Sequence, residues 1–507
     1  MTADTHGIDG RTRPSLAREA GHQHGRSHRG GVVIESAGPS NTAHYSQEKE
    51  GGIVNKSRTA SLIQAMMQAA AAALLFLLLS APAQAVPSFG RQTGQPCASC
   101  HTVFPELTAF GRQFKLRGYS LGNQLDDNKF PFNLPLSGSL IGSHSSIRDS
   151  RASDPSEDFP RAGETILQTA AVYYAGKITD SSGAFVQYGY DGIERRWAIE
   201  MADIRYASST MLRSKELLFG VTLNNSPGVQ DVWNSAPMWS FPHLEDTGIM
   251  PEVAPALDMT LAGQAAGLGL YGFWDNILYG EIGVYRTARK GVLRPFSAGV
   301  PTETVVDGYA PYWHLMFNRE MGNQSFAAGI KGIIVNIFPD EDEPSGPTDR
   351  FRDVALEAQY QYIGAVHTFT ADATWMRETR DWDASFPMGM ASNASDKLRT
   401  FKANVHYYWQ RRVGLGVGYF DTQGDRDMLK YGMADDPSAM GSASGSPDNR
   451  GWIAELNYLP LKDTQNLKLG LRYTSYSRFN GARSNYNGFG RDASDNNLLF
   501  GYVWFIF

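Results

Sequence analysis

The sequence predicts an all-β fold, a transmembrane antiparallel β-barrel of about 16 strands, with a small N-terminal, mostly helical segment in front of it. Three observations predict it. The chain is rich in tyrosine and glycine, with 23 Tyr, 26 Phe and 52 Gly among 507 residues and only 2 Cys. From Leu136 onward, segments of ten to fifteen residues alternate apolar and polar side chains. The connections between those segments alternate short and long, as turns and loops do at the two ends of a membrane barrel. A soluble β-sandwich array shares the composition and a soluble sheet shares the alternation, so the connection lengths carry the distinction.

Bulk properties remove several classes. With 19% charged and 42% hydrophobic residues and a net charge of -6, the chain is neither disordered nor a basic nucleic-acid binder. A mean hydropathy of -0.34 excludes a helical membrane bundle. The one long apolar run, Ala69 to Leu79, is too short to span a bilayer. It reads instead as the core of an export signal, with Lys56 and Arg58 as its basic flank and Ala83-Gln84-Ala85 as a cleavage site before Val86. Residues 1–53 are polar and carry His6, His22, His24 and His28. A zinc-binding tail is one reading of them, an overlong leader or misassigned start the other. The expected division is therefore 1–85 as extension plus signal, 86–135 as a small segment holding both cysteines and 136–507 as the barrel.

Eleven residues past the expected cleavage point stands Cys97-Ala98-Ser99-Cys100-His101. Two thiols at this spacing can form thioethers with the two vinyl groups of haem, and the adjacent imidazole can ligate the iron. This is the attachment signature of one covalent c-type haem. A Cys-x-x-Cys alone would suit a redox disulfide or half a zinc site, but there is no third Cys and no strand–helix pattern around it. The second axial ligand stays open. Between Val86 and Glu200 there is no Met, and His144 is the only other His. Candidates are His144, Met238, His243, His314, Met316 and His406, or an open sixth position. Leu107, Phe110 and Phe114 recur at helical spacing and predict a short helix over the haem. Arg91, Arg112 and Lys115 are candidates to pair with the haem propionates, with solvated surface charge as the alternative.

Strands are predicted near 136–147, 165–179, 182–193, 197–210, 216–226, 259–274, 277–288 and 310–321. Eight more follow near 324–339, 351–363, 365–380, 397–409, 412–424, 450–460, 467–479 and 497–507. Phe401 to Trp409 shows the pattern, with Phe401, Ala403, Val405 and Tyr407 on one face and Lys402, Asn404, His406 and Tyr408 on the other. Tight turns fall at Asp275-Asn276, Gly322-Asn323, Gly364 and Gln410-Arg411, and long polar segments fall between. The weakest point is Asp191 to Arg196, where a long loop is expected and a short one is found. The last strand carries Leu499, Gly501, Val503, Phe505 and Phe507 on one face, an ending common in outer-membrane barrels. Glu281, Lys331, Glu357, Lys402 and Arg472 are expected to line a wet lumen that the haem segment plugs.

The haem segment resembles that of the fused monohaem cytochrome–porins of iron-oxidising bacteria. The residues that carry the likeness are Phe89, Arg91, Gln92, Thr93 and Gly94, the motif Cys97, Cys100 and His101, and then Pro105, Leu107, Phe110, Gly111, Arg112, Phe114 and Lys115. Val229-Gln230-Asp231-Val232-Trp233-Asn234, with Pro237, Trp239 and Pro242, looks like that family's long loop. The N-terminal extension departs from the family pattern. The resemblance implies an outer-membrane conduit with iron(II):cytochrome oxidoreductase activity. Its donor would be extracellular Fe(II), and its acceptor a periplasmic cytochrome or copper protein. A haem-bearing porin for solutes, and a conduit delivering electrons outward, share the same parts. No nucleophile, base or nucleic-acid partner is expected.

Overall fold

The structure is a computed structural model that describes residues 87–102, 105–122, 135–148, 165–233, 253–289, 291–432, 441–461 and 465–507, all within one compact unit, Leu79–Phe507. Alternating side chains and tight turns produce sixteen antiparallel strands that pair in chain order and close, β1 against β16. The first eight are β1 Leu136–Ile147, β2 Thr165–Thr179, β3 Ser182–Asp191, β4 Arg196–Leu212, β5 Lys215–Asn224, β6 Ala265–Trp274, β7 Leu278–Thr287 and β8 Ala310–Met321. The second eight are β9 Gln324–Ile337, β10 Asp349–Ile363, β11 His367–Asp381, β12 Ser395–Trp409, β13 Val413–Gly424, β14 Asn449–Tyr458, β15 Leu467–Arg478 and β16 Leu498–Ile506. The barrel is porin-like, with tight hairpins at one end and long loops at the other. The turns Arg213-Ser214, Asp275-Asn276 and Gln410-Arg411 each hold two consecutive residues at positive φ, the backbone twist that two-residue hairpins need.

The period of two sorts the side chains by face. Leu268, Leu270, Ile282, Leu315, Leu415, Val417 and Val503 are exposed on the outer surface, as a lipid-facing wall requires. Exposed aromatics sit near both strand ends, Trp409, Tyr458 and Phe507 towards the hairpins and Trp197, Trp452 and Tyr473 towards the loops. Glu281, Lys331, Glu357 and Arg472 are buried on the inner face, as expected, and Lys402 reaches Asp258 at 2.7 Å. Much of the tyrosine and glycine is used together. The rings of Tyr285, Tyr408 and Tyr502 lie over Gly267, Gly414 and Gly470 of the neighbouring strands, where a Cβ would collide.

Two segments fill the lumen. From the hairpin end enter the short helices Pro87–Thr93, Cys97–Cys100 and Ala109–Leu116. From the loop end, the β5–β6 connection folds inward, and Leu116 of the first segment packs in one cluster with Val232 and Trp233 of the second. The sequence reading is corrected here. Residues 259–264 do not belong to β6; a π-helical turn, Ala256–Thr260, lies against the wall instead. Its free amides at Ala256 and Leu257 take the carboxylates of Glu378 and Asp353, both at 2.7 Å. At the weak point, β3 and β4 do join at the loop end by a tight turn, with Asp191 accepting from the amides of Ile193 and Glu194. Residues 1–86, including the expected extension, signal and cleavage site, lie outside the described residues.

Candidate haem site in the barrel mouth

Pro96 fixes an extended backbone and opens the one-turn helix that carries Cys97 and Cys100 on the same side. No disulfide joins the thiols, and burial together with the nearby Cys97 pushes the Cys100 thiol up to about 11. His101 follows in extended backbone and bridges antiparallel to Leu107. Its Nδ1 bonds the Pro105 carbonyl at 3.2 Å, which leaves Nε2 as the atom placed to ligate a metal. Burial pushes the imidazole down to about 4, partly opposed by the carbonyl contacts, so it is neutral near pH 7. Neutral imidazole is the ligating form.

The motif and the next helix lock together. Thr108 caps that helix through the Gly111 amide at 3.1 Å, and its amide and hydroxyl return to the carbonyls of Cys100 and Ser99 at 2.9 and 2.6 Å. Gly111 rests on the Cys100 carbonyl so closely that any Cβ would collide with backbone. Cys97, Cys100 and His101 line one cleft of about 880 Å³, its open mouth included. Phe89, Pro96, Leu107, Phe114, Phe185 and Val229 supply apolar walls, and Lys115 and Tyr119 supply polar ones. Two thiols and one imidazole on one apolar-walled cleft fit a porphyrin bound through two sulfurs. They fit zinc poorly, since no group of three or more His, Cys, Asp or Glu suited to a metal exists among the described residues.

Of the distal-ligand candidates, none that is described lines the cleft. His144 lies on the outer face of β1, bonded to Thr165 at 3.0 Å. Its parity with Leu136 and Leu140 already placed it there. His314 is buried in the lumen against Trp233, with Nε2 on Glu357. Met316 packs beside Trp233 and Leu116. His406 holds Glu106 on the haem segment. Met238 and His243 lie outside the described residues.

The propionate candidates are corrected in part. Arg112 is 3% exposed and bonds the wall through Gln359, Gln361 and Ser325 at 3.0, 2.9 and 2.8 Å. Arg91 donates to the Leu136 carbonyl at 2.6 Å. Both anchor the segment to the barrel and do not line the cleft. Lys115 does line it, and its Nζ donates to the Val229 carbonyl of the infolded loop. The expected helix is present, but Leu107 precedes it and Phe110 is exposed, leaving Phe114 and Leu116 as its buried side. Sequence reasoning missed Glu106, though it is the only carboxylate between Val86 and Gly122.

Fold and site together define a porin-type barrel whose mouth holds a Cys-x-x-Cys-His segment. No protein-family model and no curated protein matches the chain. Solved structures to which it is similar include the Salmonella typhi OmpF complex with daunomycin, at 11% identity over 73% of this chain and 97% of that one, TM-score 0.40. A loop L8 deletion mutant of Vibrio cholerae OmpT matches at 10% identity over 73% and 98%, TM-score 0.38. A refined porin matches at 11% identity over 73% and 99%, TM-score 0.36.

Proposed function

We propose that this protein is an outer-membrane electron conduit, in which Cys97 and Cys100 bind one haem c and His101 is its proximal ligand. Electrons would come from extracellular Fe(II) and leave to a periplasmic cytochrome or copper protein. The observation that carries the reading is the shared cleft of Cys97, Cys100 and His101, with His101 Nδ1 on the Pro105 carbonyl. The haem supplies a one-electron iron couple. The chain's own residues fix the imidazole, wall off water with Phe89, Phe114 and Phe185, and suspend the cleft inside an insulating cylinder. Each turnover then removes one electron from Fe(II) and delivers one to the carrier, with no bond made or broken.

Stopped-flow mixing of the oxidised holoprotein with Fe(II) tests it, read at the haem bands. Reduction well above buffer controls is the expected result, and its absence removes the proposal. Outward delivery is distinguished by a midpoint potential far below that of the Fe(III)/Fe(II) couple. A second reading, solute passage, is favoured by the sixteen-strand architecture itself, since barrels of that size enclose an aqueous channel. Planar-bilayer recordings separate the two, because the infolded loop and the haem segment would keep a conduit silent.

A further inference from the structure

Among the described residues of the haem segment the one carboxylate is Glu106, 4% exposed, and an unpaired charge there would be costly. Both of its oxygens are committed. Oε2 accepts from the Thr102 hydroxyl at 2.9 Å, and Oε1 meets Nδ1 of His406 on β12, itself buried. The backbone repeats the tie, the Thr102 amide donating to the Glu106 carbonyl at 3.1 Å. Thr102 directly follows His101, and Glu106 directly follows Pro105, whose carbonyl holds His101 Nδ1. The carboxylate therefore closes the loop that orients the imidazole, and the barrel wall grips the carboxylate. Asp372, Glu455 and Lys468 are further charged wall residues that act on the pair. The neighbouring residue Leu107 is held separately, by Gln361 at 3.0 Å.

We propose that Glu106 and His406 are a positioning pair for the proximal ligand, through which the barrel wall sets both the hold on His101 and the negative charge behind it. The inference rests on the haem reading above. The His101 Nδ1 is held by the Pro105 carbonyl, so the Glu106 charge acts on the ligand through space, where a nearby negative charge favours ferric iron. Loss of its charge raises the midpoint potential. Loss of the histidine that compensates it lowers the potential.

The test is spectroelectrochemistry of the full-length holoprotein with three variants, Glu106→Gln, His406→Ala and His406→Gln. Glu106→Gln keeps the shape and the Thr102 bond and should move the midpoint upward. His406→Ala should move it downward, and His406→Gln, which restores a neutral donor, should recover part of that shift. A structural tie alone would lower haem occupancy without opposed shifts. Pyridine spectra separate the failures. Wild-type protein lacking the thioether-haem band removes the haem reading and this inference with it. Haem-loaded variants with unchanged potentials, or potentials moving in one direction only, overturn the pair while leaving the conduit intact.

Discussion

Replacing Arg112 by leucine should release the haem segment from the wall while leaving the barrel closed. Burial pushes its guanidinium down to about 10, with Glu320 and Asp372 opposing, so it is cationic at neutral pH. It donates to Gln359, Gln361 and Ser325 on the wall and, at 3.1 Å, to the Leu107 carbonyl. Leucine fills much of the space, so the cavity contribution is small. Three wall acceptors lose their charged donor, at roughly 1–3 kcal/mol for each buried group left unsatisfied. Gln359 and Gln361 keep the bonds that their Nε2 atoms donate, to Trp233, Asp372 and Leu107, so only their Oε1 atoms lose a partner. Relief of the buried charge offsets part of the remainder, leaving about 3–5 kcal/mol against docking. That corresponds to roughly a hundredfold to a few thousandfold rise in the open population. Hydrogen exchange in lipid nanodiscs reads it directly, with amides of Ala109–Leu116 accelerating and those of β10 unchanged. Exchange in the helix within about threefold of wild type would refute the reasoning.

Three other outcomes follow from the same contacts. Trp233→Ala removes a side chain 1% exposed that packs on Phe273, Tyr279 and His314. It should weaken loop docking by about 3–5 kcal/mol and raise single-channel conductance, and unaltered conductance counts against the infolded loop as a barrier. Gly111→Ala drives a Cβ into the Cys100 carbonyl, a backbone atom that cannot step aside, and should cost about 1–3 kcal/mol of segment stability, read as reduced haem occupancy. Burial lowers the Lys115 ammonium from 10.5 to about 8, with Asp203 opposing. Between those values the released segment binds the proton that the docked one has lost, so docking strengthens as pH rises through that window, and the penalty is fully present below about 8. Denaturant midpoints for segment release should rise from about pH 7.5 to about pH 9.5, and Lys115→Met should flatten the profile.

What could be read from sequence followed how local the signal is. Strand alternation needs only neighbours two apart, and turn type needs only the turn residues, so the strand count and the sorting of Glu281, Lys331, Glu357 and Arg472 to the lumen were legible. Parity also separates His144, which shares a face with Leu140, from His406, which shares one with Lys402 and Asn404. Nothing local distinguishes the run Pro255 to Leu261 from a strand start, because a turn laid on the lumen wall and a strand within that wall draw on the same residue types. The partners of Arg112 and Glu106 were illegible for a different reason. Their wall partners lie more than 200 residues away on β9, β10 and β12, and only barrel closure brings them to the segment.

Size explains why the segment and the barrel are bound so closely. The described part of the segment, residues 87–102 and 105–122, is too short to bury its own core. Phe114, Leu116 and Tyr119 are nonetheless 4%, 0% and 5% exposed. The barrel supplies the covering: Phe185 stacks near Phe89, Tyr119 donates to Asp203 at 2.7 Å, and Tyr271 donates to the Leu116 carbonyl at 2.6 Å. The last wall comes from the opposite end of the cylinder, where Val229 of the infolded loop faces the cleft and takes the Lys115 ammonium. The cleft is therefore completed only where a segment from the hairpin end and a loop from the far end meet. Val229 and Lys115 are thus the contact that joins the infolded loop to the cleft lined by Cys97, Cys100 and His101.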